Sequence, residues 1–187
     1  KNKEIILVVI NLGFIKDKAR MAYYFFLVGP AGCGKSTIAK KIKKKLNLNF
    51  FEGDNFHSIK NINKMKKGIK LTFNDRLPWL KKINKKLKQY NHLDKKHIIA
   101  CSALKKKYRN ILKKDLNCVF FLYLKCGKKE LLKRNFSRNH FFPSSLAVNQ
   151  FIIFENSKDL IQINAKKSIH NVSKVIEKKI KNIIKIK

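Results

Sequence analysis

Apolar positions along the chain follow two alternating periods. Continuous apolar runs at 23–28, 97–101 and 118–124 have the length of strands buried on both faces. Shorter runs at 49–52 and 160–164 predict a second and a last strand. Between the runs, apolar residues recur three and four apart. Ile38, Ile42 and Leu46 predict a helix over 36–46, and a polar helical stretch is expected to end near Met65. Asn74 or Asp75 reads as the cap of a helix whose buried stripe is Leu80, Ile83 and Leu87, with Pro78 near its first turn. Further helices are expected over 103–113 and 128–135, a loop plus helix over 141–154, and a Lys-rich helix from 168 with Val172, Val175, Ile176 and Ile180 facing inward. Strands alternating with helices predict an α/β fold: a parallel sheet covered on both faces, in three layers. The length of 187 residues suits one domain.

The start of the chain fits this pattern poorly. The apolar run at 5–10 is broken by Asn11 and Gly13. It falls far short of the about 20 residues needed to span a membrane, and no small-residue cleavage site follows it. Residues 1–20 are therefore expected to be a leader outside a domain spanning 21–187.

Charge changes the picture less than its size suggests. Lys and Arg total 45 against 11 Asp and Glu, a formal net charge of +34. Such a balance can mark a nucleic-acid binder. Here only five of the cations are Arg (20, 76, 109, 134 and 138), and Lys is spread through every segment beside abundant Asn, Ile and Phe. Compositional drift explains that distribution better than a selected nucleic-acid surface. Cys33, Cys101, Cys118 and Cys126 show no metal-ligand or redox spacing, which suits reduced thiols in the cytoplasm.

The chemistry is concentrated after the first strand. Gly29-Pro30-Ala31-Gly32-Cys33-Gly34-Lys35-Ser36, followed by Thr37, follows a buried strand and opens a helix. In that context the pattern is a phosphate loop: glycines turn successive amides inward, the helix N-terminus adds positive potential, Lys35 reaches the β- and γ-phosphates, and the Ser36 hydroxyl ligates Mg²⁺. The expected ligand is a nucleoside triphosphate. Acids are scarce, and only Glu52 and Asp54 follow the C-terminal end of a strand, where ligands bind in open α/β sheets. Their E-x-D spacing places both on one side of extended chain. Glu52 is the candidate metal ligand and Asp54 the candidate for orienting an attacking hydroxyl.

Several segments resemble the gluconokinases. They include Phe51-Glu52-Gly53-Asp54-Asn55-Phe56-His57, Asp75-Arg76-Leu77-Pro78-Trp79-Leu80, Cys101-Ser102-Ala103-Leu104-Lys105 with Tyr108-Arg109, His140-Phe141-Phe142 and Gln150-Phe151. The resemblance spans about 22–155. It implies a P-loop kinase fold with a small helical lid, and ATP-dependent phosphorylation of D-gluconate at its terminal hydroxyl. It also implies a cytosolic homodimer, with no membrane and no specific nucleic-acid partner. His57, Arg76, Ser102, Lys105 and Arg109, with Asp54, are the expected substrate contacts; Lys35, Arg134 and Arg138 would neutralise the transferring phosphoryl group. The sequence departs from the family pattern at Glu52, where Asp is usual, in a lid one residue short, and at Asn156 and Ser157. Rival readings are another small-molecule kinase of the shikimate type, a nucleic-acid-associated ATPase and a decayed kinase of low activity.

Overall fold

The computed structural model describes residues 21–131 and 143–185. The leader over 1–20, residues 132–135 of the helix expected over 128–135, and the lid residues Arg134 and Arg138 lie outside them. The described elements, in chain order, are β1 (Tyr23–Val28), α1 (Lys35–Leu46), β2 (Asn49–Glu52), a 3-10 turn (Gly53–Phe56), α2 (Ile59–Lys66), α3 (Phe73–Lys88), β3 (Lys96–Ala100), α4 (Lys106–Lys113), β4 (Cys118–Lys125), α5 (Ser144–Ile152), β5 (Leu160–Asn164) and α6 (Ile169–Lys185).

The five strands form one sheet in the order β2-β3-β1-β4-β5, and all four pairings are parallel. The pleat of β1 divides the interior. Tyr23, Phe25 and Leu27 face a core completed by Ile38 and Ile42 of α1 and by Val172, Ile176 and Ile180 of α6. Tyr24, Phe26 and Val28 face the opposite core, against Trp79, Leu80 and Ile83 of α3 and Tyr108 and Leu112 of α4. Both faces of the sheet are covered, so the central strand β1 is apolar and buried along its whole length.

Four local expectations differ from the structure. Thr72, not Asn74 or Asp75, caps α3: its hydroxyl accepts from the Asp75 amide at 3.2 Å while the Asp75 carboxylate accepts from the Thr72 amide at 2.9 Å, a reciprocal capping box. Pro78 therefore falls in the second turn of α3, where its missing N–H leaves the Asn74 carbonyl without an in-helix partner on an exposed face. The helix expected from 103 starts only at Lys106, because Ala103 is held in a left-handed conformation (φ 40°). On α6, Val175 is 46% exposed and Ile183 takes its place inside. At about 100° per residue, positions 172, 176, 180 and 183 form one stripe that 175 lies outside.

Candidate active site

Parallel pairing brings three loops to one edge. Glu52 of β2 stands opposite Ala100 of β3, which stands opposite Leu27 of β1. The segments leaving these strands therefore open side by side, and the Gly29 amide donates to the Ser102 carbonyl at 3.2 Å.

After β1 the chain wraps into the glycine-rich loop and enters α1 through Gly34, whose φ of 95° a side chain would oppose. The first turn of α1 has no acidic residue and no side-chain cap, so its amides and its dipole face the loop uncompensated. Besides the Gly29 amide, two further loop amides are committed elsewhere: Cys33 to the Pro30 carbonyl at 3.4 Å, and Ala31 to the Gln150 side-chain carbonyl at 2.8 Å. The Lys35 ammonium folds over the loop and donates to the Gly29 and Pro30 carbonyls, both at 2.9 Å.

Glu52 ends β2 beside this loop and accepts a hydrogen bond from the Ser36 hydroxyl. Burial raises its pKa, and the Asp54 charge adds to the effect; Ser36, Lys35 and Lys40 oppose it. Asp54 is exposed on the 3-10 turn, so the chain between the two acids is not extended as the E-x-D reading assumed. The two remain neighbours, and the field of Asp54 also reaches His57, Arg76 and Cys101. Gly53 makes the turn possible by close approach: a Cβ there would lie 2.6 Å from the Ala100 carbonyl oxygen. The Trp79 indole N–H donates to the Gly53 carbonyl at 2.7 Å.

Trp79 also stacks on the His57 imidazole, with ring centroids 4.2 Å apart. Burial, with the nearby Arg76 charge, lowers the His57 pKa to about 4 against the pull of Asp54, so the ring is neutral at pH 7. Its buried Nδ1 has no hydrogen-bond partner. A buried nitrogen left open beside a charged acid and a buried guanidinium is suited to a ligand hydroxyl. Arg76 is itself buried, held by its Nε–H on the Leu71 carbonyl (3.4 Å) and lying 5.9 Å from the centre of the Tyr108 ring. Ser102 and Lys105 stand half-buried on the segment that follows β3.

Arg109 is a correction. Expected at the substrate, it is fully buried, and the protein itself takes up its guanidinium. Nε bonds Asp159 at 2.7 Å, Nη1 the Ala103 and Leu104 carbonyls, and Nη2 the Glu155 carbonyl and Ser157 hydroxyl. With its donors engaged this way, Arg109 braces the left-handed Ala103 turn and leaves no fork for a substrate carboxylate. Among the described residues no cluster of three or more His, Cys, Asp or Glu could cage a metal. Ser36 with Glu52 does fit an ion such as Mg²⁺ that takes one or two protein ligands and completes its shell from phosphate and water.

Residues 28–140 match the family described as an AAA domain. The thermosensitive gluconokinase of Escherichia coli is 38% identical over 154 residues, covering 80% of this chain and 82% of that protein. The chain belongs to the gluconokinase family. The crystal structure of a gluconokinase from Sinorhizobium meliloti superposes with a TM-score of 0.72 at 29% identity, covering 83% of this chain and 89% of that one. A sugar kinase from Janibacter superposes with a TM-score of 0.74 at 31% identity, over 83% and 92%. For a gluconokinase-family chain, sequence reasoning missed three structural partners. Gln150 stands in the sequence only within the resemblance, and neither Glu155, whose carboxylate accepts from the Lys106 amide at 2.8 Å, nor Asp159, which pairs with Arg109, belongs to a motif named above. The one available signal was the rarity of Arg: a buried Arg109 demands an acid, and few acids exist.

Proposed function

We propose that this chain transfers the γ-phosphoryl group of ATP to the terminal hydroxyl of D-gluconate, giving 6-phospho-D-gluconate. The observation that carries the reading is the convergence, on one sheet edge, of the Lys35–Ser36 loop with Glu52, Asp54, His57 and Arg76. The amides of Gly32, Gly34, Lys35 and Ser36 hold the β- and γ-phosphates, with Pro30, Cys33 and Thr37 shaping the loop around them. Arg76 takes the gluconate carboxylate and the neutral His57 accepts from a hydroxyl; Ser102 and Lys105 line the same pocket. Asp54 orients the terminal hydroxyl and accepts its proton as the new O–P bond forms and the bond to ADP breaks. Lys35, joined by Arg134 and Arg138 of the segment outside the described residues, neutralises the transferring group.

Mg²⁺, held by Ser36 and Glu52, supplies charge neutralisation at the phosphates when bound. The raised pKa of Glu52 fits this role, since a partly desolvated carboxylate beside a second acid gains most from a cation. We place the enzyme in the cytoplasm as a homodimer. The resemblance supports both, and the four cysteines all lie buried in the core. No helix among the described residues is long and apolar enough to cross a membrane. A coupled assay of ATP consumption against gluconate, other sugar acids, polyols and shikimate tests the proposal. Gluconate is expected to give the highest kcat/KM. A higher value for shikimate, or hydrolysis driven by RNA with no acceptor present, defeats it.

A further inference from the structure

The contact between the phosphate loop and α5 lies outside the chemistry described above. Gln150 is polar, 8% exposed and on the same helix face as the buried Leu146 and Ala147, four and three residues before it. Its side-chain carbonyl accepts the Ala31 amide at 2.8 Å. Only the carbonyl end of the amide can accept, so the contact fixes the orientation of the side chain. Four residues on, Phe154 stacks on Tyr123 at 4.0 Å, and then Glu155 meets the loop after β3. The Glu155 amide donates to the Leu104 carbonyl at 2.8 Å, its carboxylate accepts from the Lys106 amide, and its own carbonyl accepts from Arg109 at 3.0 Å. Residues 150–155 therefore bridge the phosphate loop to the loop that carries Ser102 and Lys105.

A phosphate loop works by which of its amides face inward. An Ala31 amide that loses the Gln150 carbonyl would turn toward another acceptor, and that changes the nest. We infer that Gln150 is a positioning residue for the nucleotide: it commits the Ala31 amide away from the phosphates and so fixes the outer turn of the loop in its binding shape. The inference rests on the reading of Gly29–Ser36 as the ATP site. Gln150 touches neither the transferred group nor the acceptor in this account, so its loss acts on ATP alone.

The test compares the full chain with Gln150→Met, which keeps the shape and removes the acceptor, and Gln150→Glu, which keeps an acceptor. Amide exchange at Ala31 in the ligand-free protein reads the contact, and the KM values for ATP and gluconate read its consequence. For Gln150→Met we expect Ala31 exchange and KM for ATP each to rise roughly tenfold, with KM for gluconate and Tm nearly unchanged. For Gln150→Glu, Ala31 stays protected, while the added charge weakens ATP binding in a salt-dependent way. Unchanged Ala31 exchange in Gln150→Met overturns the inference. So does faster exchange with KM for ATP within about twofold of normal, or an equal rise in both KM values with a fall in Tm. If the unaltered chain binds no ATP, the ATP reading itself has failed, and the exchange rates alone then decide whether Gln150 holds Ala31.

Discussion

The two halves of the site are built by different means. In the proposed phosphate half the groups are backbone amides and one lysine, held by loop torsions and the start of α1. In the proposed acceptor half they are side chains: Arg76 lies beside Tyr108, His57 stacks on Trp79, and Asp54 rides on a turn that Gly53 alone permits. A backbone site depends on a few residue types at fixed spacing. A side-chain site depends on which neighbours bury each group, and two arginines of the same chain can then take opposite roles. This contrast sets what should break each half.

Lys35→Ala should produce the largest effect, because no other described side chain places a cation over the loop. We expect kcat/KM to fall by about a thousandfold or more in the coupled assay, on the scale of losing a preorganised charge at the transferring group. Retention of a tenth of normal activity would remove the loop from the mechanism. In the acceptor half, Asp54→Asn should lower kcat by at least about a hundredfold with ATP affinity preserved. Glu52→Gln should instead raise the Mg²⁺ requirement and recover in part with excess metal. If Glu52→Gln is inactive at every metal concentration while Asp54→Asn works, the two roles are exchanged.

The arginines sharpen the comparison. Arg109→Met should cost about 3–5 kcal/mol of stability, since it strands Asp159 and the Ala103 turn, and denaturant unfolding measures this directly. Arg76→Lys should leave stability nearly intact while raising KM for gluconate roughly tenfold and leaving KM for ATP alone, because an ammonium cannot reproduce a two-pronged contact. Quenching or enhancement of Trp79 fluorescence by gluconate offers a second readout. A stable Arg109→Met with a raised gluconate KM would return Arg109 to the pocket.

A further expected effect is acid sensitivity of the core on the sheet face that α3 covers. His97 is fully buried in β3 among Tyr24, Phe51 and Tyr90, with neither ring nitrogen hydrogen-bonded. Burial, aided by Lys95, lowers its pKa to about 4. The unfolded chain binds a proton near pH 6.5 that the folded chain refuses until about pH 4. Stability is therefore whole above about pH 6.5, drains as pH falls toward 4, and is flat below. His97→Phe should reduce that acid loss by up to about 3 kcal/mol in denaturation curves taken across the range. An unchanged pH dependence would show that the folded protein already accommodates the charged ring.

Much of the architecture was legible because it follows from short-range rules. The apolar runs named all five strands, and the strand–loop–helix context named the phosphate loop. The misses share one cause. Thr72 and Asp75 exchanged cap positions, the 103–113 helix lost its first turn at Ala103, and Val175 turned outward; each depends on a geometric detail of a residue or two that periodicity averages away.

By itself, the sequence determined the order of elements, the parallel sheet and the backbone half of the site, because apolar periodicity and glycine spacing act locally. It also determined the gluconokinase-like motifs, though not what each of their residues touches. Tertiary structure alone decided that Arg76 lies beside Tyr108 within the field of Asp54 while Arg109 is consumed by Asp159, Ser157 and three carbonyls. It alone decided that Gln150 reaches the phosphate loop across 119 residues of chain, and that His57 keeps an open nitrogen beside Asp54. The role of a polar side chain is fixed by its partners and by its distance from water. Both are set by parts of the chain far away in sequence, which only the packed fold brings together.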